Sequence, residues 1–411
     1  MAKLNYYTFI AFMVLIVSCQ SAIPVKTGLD NINDYKDLFK NKKVGIITNH
    51  TAYNSHGLHI TDIFLNMENV QLTALFGPEH GIRGDADAGA EIDSGIDPLS
   101  GIPIYSLYGS TRKPNPEMLE EVDVLVFDIQ DIGSRFYTYI WTMALAMEAA
   151  AEQDIPFVVL DRPNPLNGNS VEGNILETKF STFVGLYPIP IRHGMTVGEL
   201  AQMFNGEGWL KDGIQANLNI VPLKNWPRAS WYDQTGLKFI NPSPNMPDFK
   251  TAVIYPGLCL IEGTNVSEGR GTLEPFLQFG APWIDKKQFS SALNALKLPG
   301  VRFQEETFTP RSIKGMSTNP KHQDKLCFGA RIEVTDRSVL KAYETGVRVI
   351  ELIHKLYPDS MEWRQSHFDR LCGTAKIRES IITNKNLDSL LNSIRQDEDL
   401  FRNKRQKYLL Y

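Results

Sequence analysis

The sequence predicts an α/β fold with a mostly parallel β-sheet, followed by a second domain of the α+β class. Three observations support this prediction. From Lys43 onward, short runs of β-branched and apolar residues alternate with helical patterns, as in βαβ units. The second half of the chain is less regular. At 411 residues, the chain also exceeds what one hydrophobic core usually supports.

The first domain contains five predicted strands, and polar residues follow them closely. The strands are predicted at 44–48, 70–76, 104–108, 122–128 and 156–161, with helices at 59–66 and 139–153. Parallel strands end at the same edge of a sheet, so the polar residues in 48–50, 78–80, 128–131 and 161–164 are expected to lie together there. This edge is where open α/β sheets bind ligands.

The second domain begins with a helix start signal. Thr196 and Glu199 have the spacing of a capping box. A proline-rich loop follows at 242–247, and later a strand is predicted at 328–335 and a helix at 339–357. We therefore assign 24–190 to the first domain and 191–411 to the second.

The N-terminus has the pattern of an export signal. Lys3 precedes an apolar stretch, 9–17, that is too short to span a bilayer. The run that ends at Cys19 resembles a bacterial lipobox, which predicts a signal peptide at 1–18 and a lipidated tether at 19–23. We expect a periplasmic or cell-surface lipoprotein anchored to the membrane through Cys19. The alternative is a plain cleaved signal with a chance cysteine.

Charge and cysteine usage exclude several classes of function. The net charge of −5, with acids and bases mixed along the chain, argues against a nucleic-acid partner. Cys259, Cys327 and Cys372 are widely spaced without a CxxC, so we predict buried free thiols. No zinc site is expected.

Residues 77–89 form the most informative segment. They follow a predicted strand and combine Glu79, His80, Arg83 and Asp85 between glycines that allow close backbone approach. A loop that served only solubility would not need this mixture of acid, base and cation. The pattern predicts an active-site loop.

The motifs that are absent narrow the chemistry. The sequence has no G-x-G-x-x-G, Walker A, H-E-x-x-H or G-x-S-x-G motif, and we predict no cofactor and no metal.

The candidate site residues are rich in carboxylates, and a pair of carboxylates is the usual apparatus for cleaving a glycosidic bond. Tyr137, Tyr139 and Trp141 offer flat faces for sugar rings, although all three also fit a helix and its core. Five arginines lie near the polar strand ends, namely Arg83, Arg135, Arg162, Arg192 and Arg270. One of them would suit a sugar that carries an acid, because arginine binds carboxylates in a bidentate way.

Seven runs of the sequence resemble one family in the same order. The runs are 48–51, 77–89, 128–139, 161–167, 192–196, 242–247 and 262–272. On these residues the chain resembles the NamZ-type exo-β-N-acetylmuramidases of glycoside hydrolase family 171, formerly a domain of unknown function. The resemblance implies a Rossmann-like domain and a second domain with the active site in the cleft between them. It also implies release of N-acetylmuramic acid from the non-reducing end of peptidoglycan fragments.

The resemblance places the family's catalytic glutamate on Glu79, and Asp128 or Asp131 are our best candidates for the second carboxylate. Because His80 and Arg83 lie close in sequence, and cations favour a charged carboxyl group, Glu79 stays open as acid, nucleophile or base. The predicted substrate-binding residues are Asn49, His80, Arg83, Asp85, Arg135, Tyr137, Asp161, Arg162, Asn164, His193, Glu262, Asn265, Glu268 and Arg270. The alternatives are another exo-hexosaminidase that acts on cell-wall fragments, and a lipid-anchored sugar-binding protein without catalysis. Retention, inversion or assistance by the substrate, and the oligomeric state, stay open.

Overall fold

A computed structural model of the chain describes residues 24–83 and 94–411. Two of the predicted features therefore lie outside the described residues. These are the N-terminal signal with Cys19 and the part of the active-site loop that holds Asp85.

A seven-stranded sheet forms the larger layer of the fold. Its strands are β1 (Lys42–Thr48), β2 (Val70–Gly77), β3 (Gly95–Ile96), β4 (Pro103–Ser106), β5 (Val124–Asp128), β6 (Phe157–Leu160) and β7 (Leu218–Val221). They lie in the order β3-β4-β2-β1-β5-β6-β7, and all neighbours are parallel except β3 and β4. Strands β5 and β6 are buried along their whole length, which explains their continuous apolar sequence. The predicted α/β class is confirmed.

Four helices accompany this sheet. They are α1 (Ile60–Leu65), α2 (Pro116–Leu119), α3 (Tyr139–Glu152) and α4 (Val197–Gly206). Most of α3 is buried, in agreement with its Ala-, Met- and Leu-rich sequence. The capping box at Thr196 and Glu199 starts α4, as predicted, and both of its hydrogen bonds are formed.

The C-terminal part combines helices with a small antiparallel sheet. Its strands are β8 (Gln278–Ala281), β9 (Val301–Phe308) and β10 (Cys327–Val334), in the order β8-β10-β9. Its helices are α5 (Phe249–Leu258), α6 (Lys286–Ala295), α7 (Ala342–Leu356), α8 (Gln365–Cys372), α9 (Lys376–Thr383) and α10 (Leu387–Arg405). The strand and helix that the sequence predicted at 328–335 and 339–357 are thus present as β10 and α7. The three described cysteines are buried and free, as predicted.

The domain boundary at residues 190–191 stays a prediction. Strand β7 lies C-terminal to that boundary and pairs with β6 in the large sheet. Within residues 24–83 and 94–411, no helix is both long and apolar enough to cross a membrane.

Helices α5 and α7 touch through their backbones. A Cβ atom added at Gly257 would lie 1.8 Å from the carbonyl oxygen of Ala342, and one at Gly346 would lie 2.2 Å from that of Gly257. Both distances are far below van der Waals contact. Only glycine therefore fits at this crossing.

Candidate active site

A cavity of about 140 Å³ brings together the end of β2, the segment that leads into α3, and the C-terminal helices. Its lining contains two carboxylates, an arginine, two histidines and several aromatic rings. The lining residues are Glu79, His80, Tyr108, Phe136, Tyr137, Thr138, Tyr139, Val184, Ser243, Tyr255, Cys259, Glu262, Arg270, His367 and Leu371.

Glu79 lies two residues beyond β2, at the carboxyl edge of the sheet. The Thr138 hydroxyl donates a hydrogen bond of 2.7 Å to Oε2 of Glu79, and Thr138 is itself the residue before α3. The chain then turns sharply, because His80 and Gly81 both have a φ of 71°. This left-handed conformation is rare for a histidine and places His80 as a buried residue in the cavity wall.

Three tyrosines, Tyr108, Tyr137 and Tyr139, line the cavity together with Glu79. Burial and the negative charge of Glu79 raise the pKa of Tyr108. Burial likewise raises the pKa of Tyr137 and Tyr139 well above the usual value, and Glu79 adds to both shifts. The rings of Tyr137 and Tyr139 meet edge to face at 5.1 Å. All three hydroxyls therefore stay protonated at neutral pH, and that of Tyr139 donates its hydrogen bond to the Pro242 carbonyl oxygen.

Glu262 and Arg270 form a second charged group in the wall. Arg270 donates from Nε and Nη2 to Oε1 of Glu262 at 3.0 and 2.7 Å, and Nε2 of His367 lies 3.6 Å from Oε2 of Glu262. Burial alone would raise the pKa of Glu262, but Arg270 and His367 lower it to about 2. Glu262 is therefore ionised. Glu268 is held nearby, 3.5 Å from Nε of Arg270 and 2.9 Å from Nζ of Lys321.

Asp128 and Asp131, the predicted partners of Glu79, are not among the residues that line the cavity. Both oxygens of Asp128 are bound by Arg162, through Nε and through Nη2 at 2.9 Å, in a fully buried pair. Asp131 accepts from the backbone N–H of Gly133 at 2.6 Å, and burial raises its pKa to about 7. Asp128 and Arg162, both predicted as site residues, thus form an ion pair inside the protein.

The carboxylate of Asp161 also belongs to a hydrogen-bond network inside the protein. It accepts hydrogen bonds from the Thr196 hydroxyl at 2.7 Å, the Gly198 N–H at 2.8 Å and the Tyr411 hydroxyl at 2.7 Å. Burial raises the pKa of Asp161 to about 7. Its oxygens bind the start of α4 and the last residue of the chain.

Asn164 and His193 stabilise the loops beside Asp161. Asn164 accepts from the N–H of Leu166 and donates to the carbonyl of Met195, both at 2.9 Å. Nδ1 of His193 accepts from the Met195 N–H at 3.2 Å, and burial, aided by Arg405, lowers the pKa of His193 to about 3. His193 is therefore neutral.

Arg135 is fully buried and contacts backbone oxygens. Its guanidinium donates to four carbonyls, those of Asn174 and Ile189 at 2.9 Å, Leu371 at 3.0 Å and Cys372 at 2.7 Å. Burial lowers the pKa of Arg135 to about 10. Arg135 thus joins two distant segments of the chain.

The remaining predicted binding residues that the structure describes bind other protein groups and do not line the cavity. Asn49 accepts from the Thr51 N–H at 2.9 Å, and Arg83 is half-exposed in a salt bridge with Asp97. Asn265 donates to the Ser360 carbonyl at 2.9 Å. Trp141 belongs to the core, where it stacks on Phe204 at 5.6 Å. Of the predicted residues, the cavity brings together Glu79, His80, Tyr137, Glu262 and Arg270.

Sequence reasoning missed several residues of the cavity. The strand predicted at 104–108 includes Tyr108, but β4 ends at Ser106, so Tyr108 lies just beyond the end of the strand, where polar residues gather. His367 lies in α8, more than a hundred residues from Glu262, with which it pairs, and no local pattern marks it. Within the described residues, no group of three or more His, Cys, Asp or Glu side chains could hold a metal ion.

Comparison with known proteins accounts for nearly the whole chain. Residues 44–250 match the family described as exo-beta-N-acetylmuramidase NamZ, N-terminal, and residues 253–411 match its C-terminal counterpart. The chain belongs to the NamZ family. The chain is 50% identical to peptidoglycan beta-N-acetylmuramidase NamZ of Bacillus subtilis over 94% of this chain and 91% of that protein.

Two crystal structures from Bacteroides fragilis share the NamZ-family fold. Both are of DUF1343 family proteins, and each match covers 95% of this chain and 99% of the other. One has a TM-score of 0.86 at 39% identity, and the other has a TM-score of 0.78 at 36% identity. These structures support the two-part α/β architecture described above.

Proposed function

We propose that this protein is an exo-acting β-N-acetylmuramidase that releases N-acetylmuramic acid from the non-reducing end of peptidoglycan fragments. The observation that carries the proposal is the cavity in which Glu79 and Glu262 line one space together with tyrosine rings. The identity to a protein named as a peptidoglycan β-N-acetylmuramidase supports the substrate class. A small cavity suits the binding of a chain end better than the binding of a long strand.

The two carboxylates have different surroundings, as glycoside hydrolysis requires. Glu262 is held ionised by Arg270, so it suits stabilisation of the positive charge that develops on the sugar. Glu79 is oriented by Thr138 and lies near protonated tyrosines, so we assign it the donation of a proton to the glycosidic oxygen of the departing sugar and the later removal of a proton from the attacking water. Glu262 replaces Asp128 and Asp131 as the partner of Glu79 in this proposal, because Arg162 occupies both oxygens of Asp128 and neither aspartate lines the cavity.

The test is hydrolysis of the disaccharide MurNAc-β-1,4-GlcNAc and of chromogenic β-MurNAc and β-GlcNAc glycosides. We expect release of free MurNAc by the wild type, and a loss of about a hundredfold or more in kcat for Glu79→Gln and for Glu262→Gln. Glu117→Gln, an exposed glutamate at the start of α2, is the matched control and should keep full activity.

Three results would contradict parts of this proposal. A folded Glu79→Gln protein with wild-type turnover would remove Glu79 from the chemistry. Faster hydrolysis of the β-GlcNAc glycoside would point to an exo-hexosaminidase of different specificity. Binding of the disaccharide without any release of sugar would point to a capture protein.

We also propose that Cys19 carries a lipid that anchors the protein to a membrane outside the cytoplasm. The lipobox-like run that ends at Cys19 supports this proposal. Two acyl chains give stable membrane binding, because each buried methylene contributes about 0.8 kcal/mol. We expect Cys19→Ser to move the protein from the membrane fraction to the soluble fraction and to abolish incorporation of labelled palmitate. Unchanged fractionation would indicate a different anchor.

A further inference from the structure

Arg112 lies beside the cavity on the loop between β4 and α2. Its side chain is exposed, and its Cζ atom lies 4.6 Å from the centre of the Phe183 ring. Phe183 in turn lies 6.1 Å from the Tyr108 ring, and its neighbour Val184 lines the cavity together with Tyr108. Arg112 is thus an exposed cation over the face of a ring that lies beside residues of the cavity wall.

The charge of Arg112 reaches the cavity. Burial and Glu79 raise the pKa of the Tyr108 hydroxyl, and Arg112 opposes them. In the part of the chain that the structure describes, the Arg112 guanidinium forms no salt bridge and no hydrogen bond with another residue. The Arg112 side chain is exposed, and its donors are not bound to a carboxylate of residues 24–83 or 94–411.

Arg270, the arginine that lines the cavity, is already neutralised. Arg270 is bound by Glu262 and Glu268, and Glu268 also binds Lys321, so two anions face two cations in this cluster. A further carboxylate brought to Arg270 would meet the negative charges of both glutamates. A substrate that carries an acid needs another cation.

We propose that Arg112 is the specificity-determining residue that binds the lactyl carboxylate of N-acetylmuramic acid at the mouth of the cavity. This inference rests on the proposed exo-β-N-acetylmuramidase function. The planar guanidinium presents two parallel N–H donors to a carboxylate, and its stacking on Phe183 fixes the orientation of that fork before the sugar arrives. An attached peptide converts the lactyl carboxylate to an amide and supplies carboxylates of its own. The lactyl group of the free sugar and the attached peptide are thus two sources of a carboxylate for Arg112.

The experiment compares three chromogenic β-glycosides: that of MurNAc, that of MurNAc with its lactyl group amidated, and that of a muramyl dipeptide. We expect Arg112→Ala to raise KM for the MurNAc glycoside about tenfold to a hundredfold, with kcat nearly unchanged. KM for the lactyl amide and for the dipeptide glycoside should stay within about twofold of the wild-type values. KM of Arg112→Lys for the MurNAc glycoside should lie between the values of the wild type and Arg112→Ala, because lysine keeps the charge but not the two parallel N–H donors.

Controls separate binding from folding. Arg302→Ala removes another exposed arginine, one paired with Glu333 on the small sheet, and should leave all kinetic constants unchanged. Arg112→Gln keeps an aliphatic stem over Phe183 and serves if Arg112→Ala lowers the thermal midpoint.

The possible failures are distinguishable. If the wild type hydrolyses the MurNAc glycoside but Arg112→Ala and Arg112→Gln match it in KM, the inference is wrong and the proposed function stands. An equal rise in KM for the lactyl amide, or a rise confined to the dipeptide glycoside, would also overturn the inference. If the wild type hydrolyses none of the three glycosides, the proposed function fails and the inference fails with it.

Discussion

Replacing Arg162 with methionine tests whether the ion pair with Asp128 is structural. The change removes both hydrogen bonds to the Asp128 carboxylate and the 3.2 Å bond to the Tyr53 carbonyl, and leaves a buried carboxylate without its partner. Loss of one partner of a buried pair costs about 3–5 kcal/mol, and the further hydrogen bond about 1 kcal/mol. We therefore expect Arg162→Met to lower the free energy of unfolding by about 4–6 kcal/mol at neutral pH.

The pH dependence of this loss follows from the pKa of Asp128. Burial raises this pKa from 3.8, and Arg162 opposes the rise, so removal of Arg162 raises the pKa further. The folded variant then holds the proton more strongly than the unfolded chain does, and its stability falls as pH rises above 3.8 through the raised value. The difference in the free energy of unfolding between the wild type and Arg162→Met should therefore be smaller at about pH 5 than at about pH 8.

Urea unfolding followed by tryptophan fluorescence measures this difference, with the double variant Arg162→Met/Asp128→Asn as the control. The double variant lacks the buried charge, so it should recover part of the lost stability and should not show the extra loss of Arg162→Met between about pH 5 and about pH 8. A variant Arg162→Met within about 1 kcal/mol of the wild type would refute the reasoning. A large rise in KM for the MurNAc glycoside with little loss of stability would also refute it, since that result would indicate that Arg162 binds the substrate.

Three further predictions concern single side chains. Gly346→Ala should lower the free energy of unfolding in urea by about 3 kcal/mol or more, because its Cβ would lie 2.2 Å from the Gly257 oxygen. Gly95→Ala should cost less than about 1 kcal/mol, because no atom of the described residues, its chain neighbours aside, lies within 4 Å of the added Cβ. Tyr411→Phe removes hydrogen bonds to Asp161 at 2.7 Å and from the Leu223 N–H at 2.8 Å, and should lower the free energy of unfolding by about 1–3 kcal/mol; an unchanged thermal midpoint would contradict this role. His193, whose pKa falls from 6.5 to about 3 on folding, makes the protein lose stability as pH drops through that window, because the unfolded chain takes up the proton first. His193→Asn should show a flatter decline of the thermal midpoint below pH 6.5, and an equal slope would show that another group is responsible.

The sequence predicted the fold class and the position of Glu79 for the same physical reason. Apolar runs identify buried parallel strands, and the residues just beyond them must lie at one edge, as Glu79 and Tyr108 do. Burial of polar residues could not be predicted this way. Asp128, Asp161 and His193 also follow strands or loops at that edge, but their side chains point into pairs and networks inside the protein.

The partner that we propose for Glu79 could not be identified from sequence for a related reason. Glu262, Arg270 and His367 all lie in the C-terminal part and meet because α8 packs against the segment that holds Glu262, and the distance in sequence between Glu262 and His367 hides their contact. They line one cavity with Glu79 because this part packs against the end of β2. The sequence did name Glu262 and Arg270 as binding residues, since they belong to a glycine-rich polar run. Their role as an ion pair required the fold.

The contacts of Arg135 have a consequence for how substrate enters. This one side chain binds carbonyls of segments at 174–189 and at 371–372, directly behind cavity residues Phe136 and Leu371. A hinge motion that opened the cavity by parting these segments would strip a buried cation of its acceptors, which is costly. The wall around Phe136 and Leu371 is therefore expected to be rigid before the sugar arrives. The solvent-exposed side chains at the rim would then be the ones that change conformation to fit different glycans.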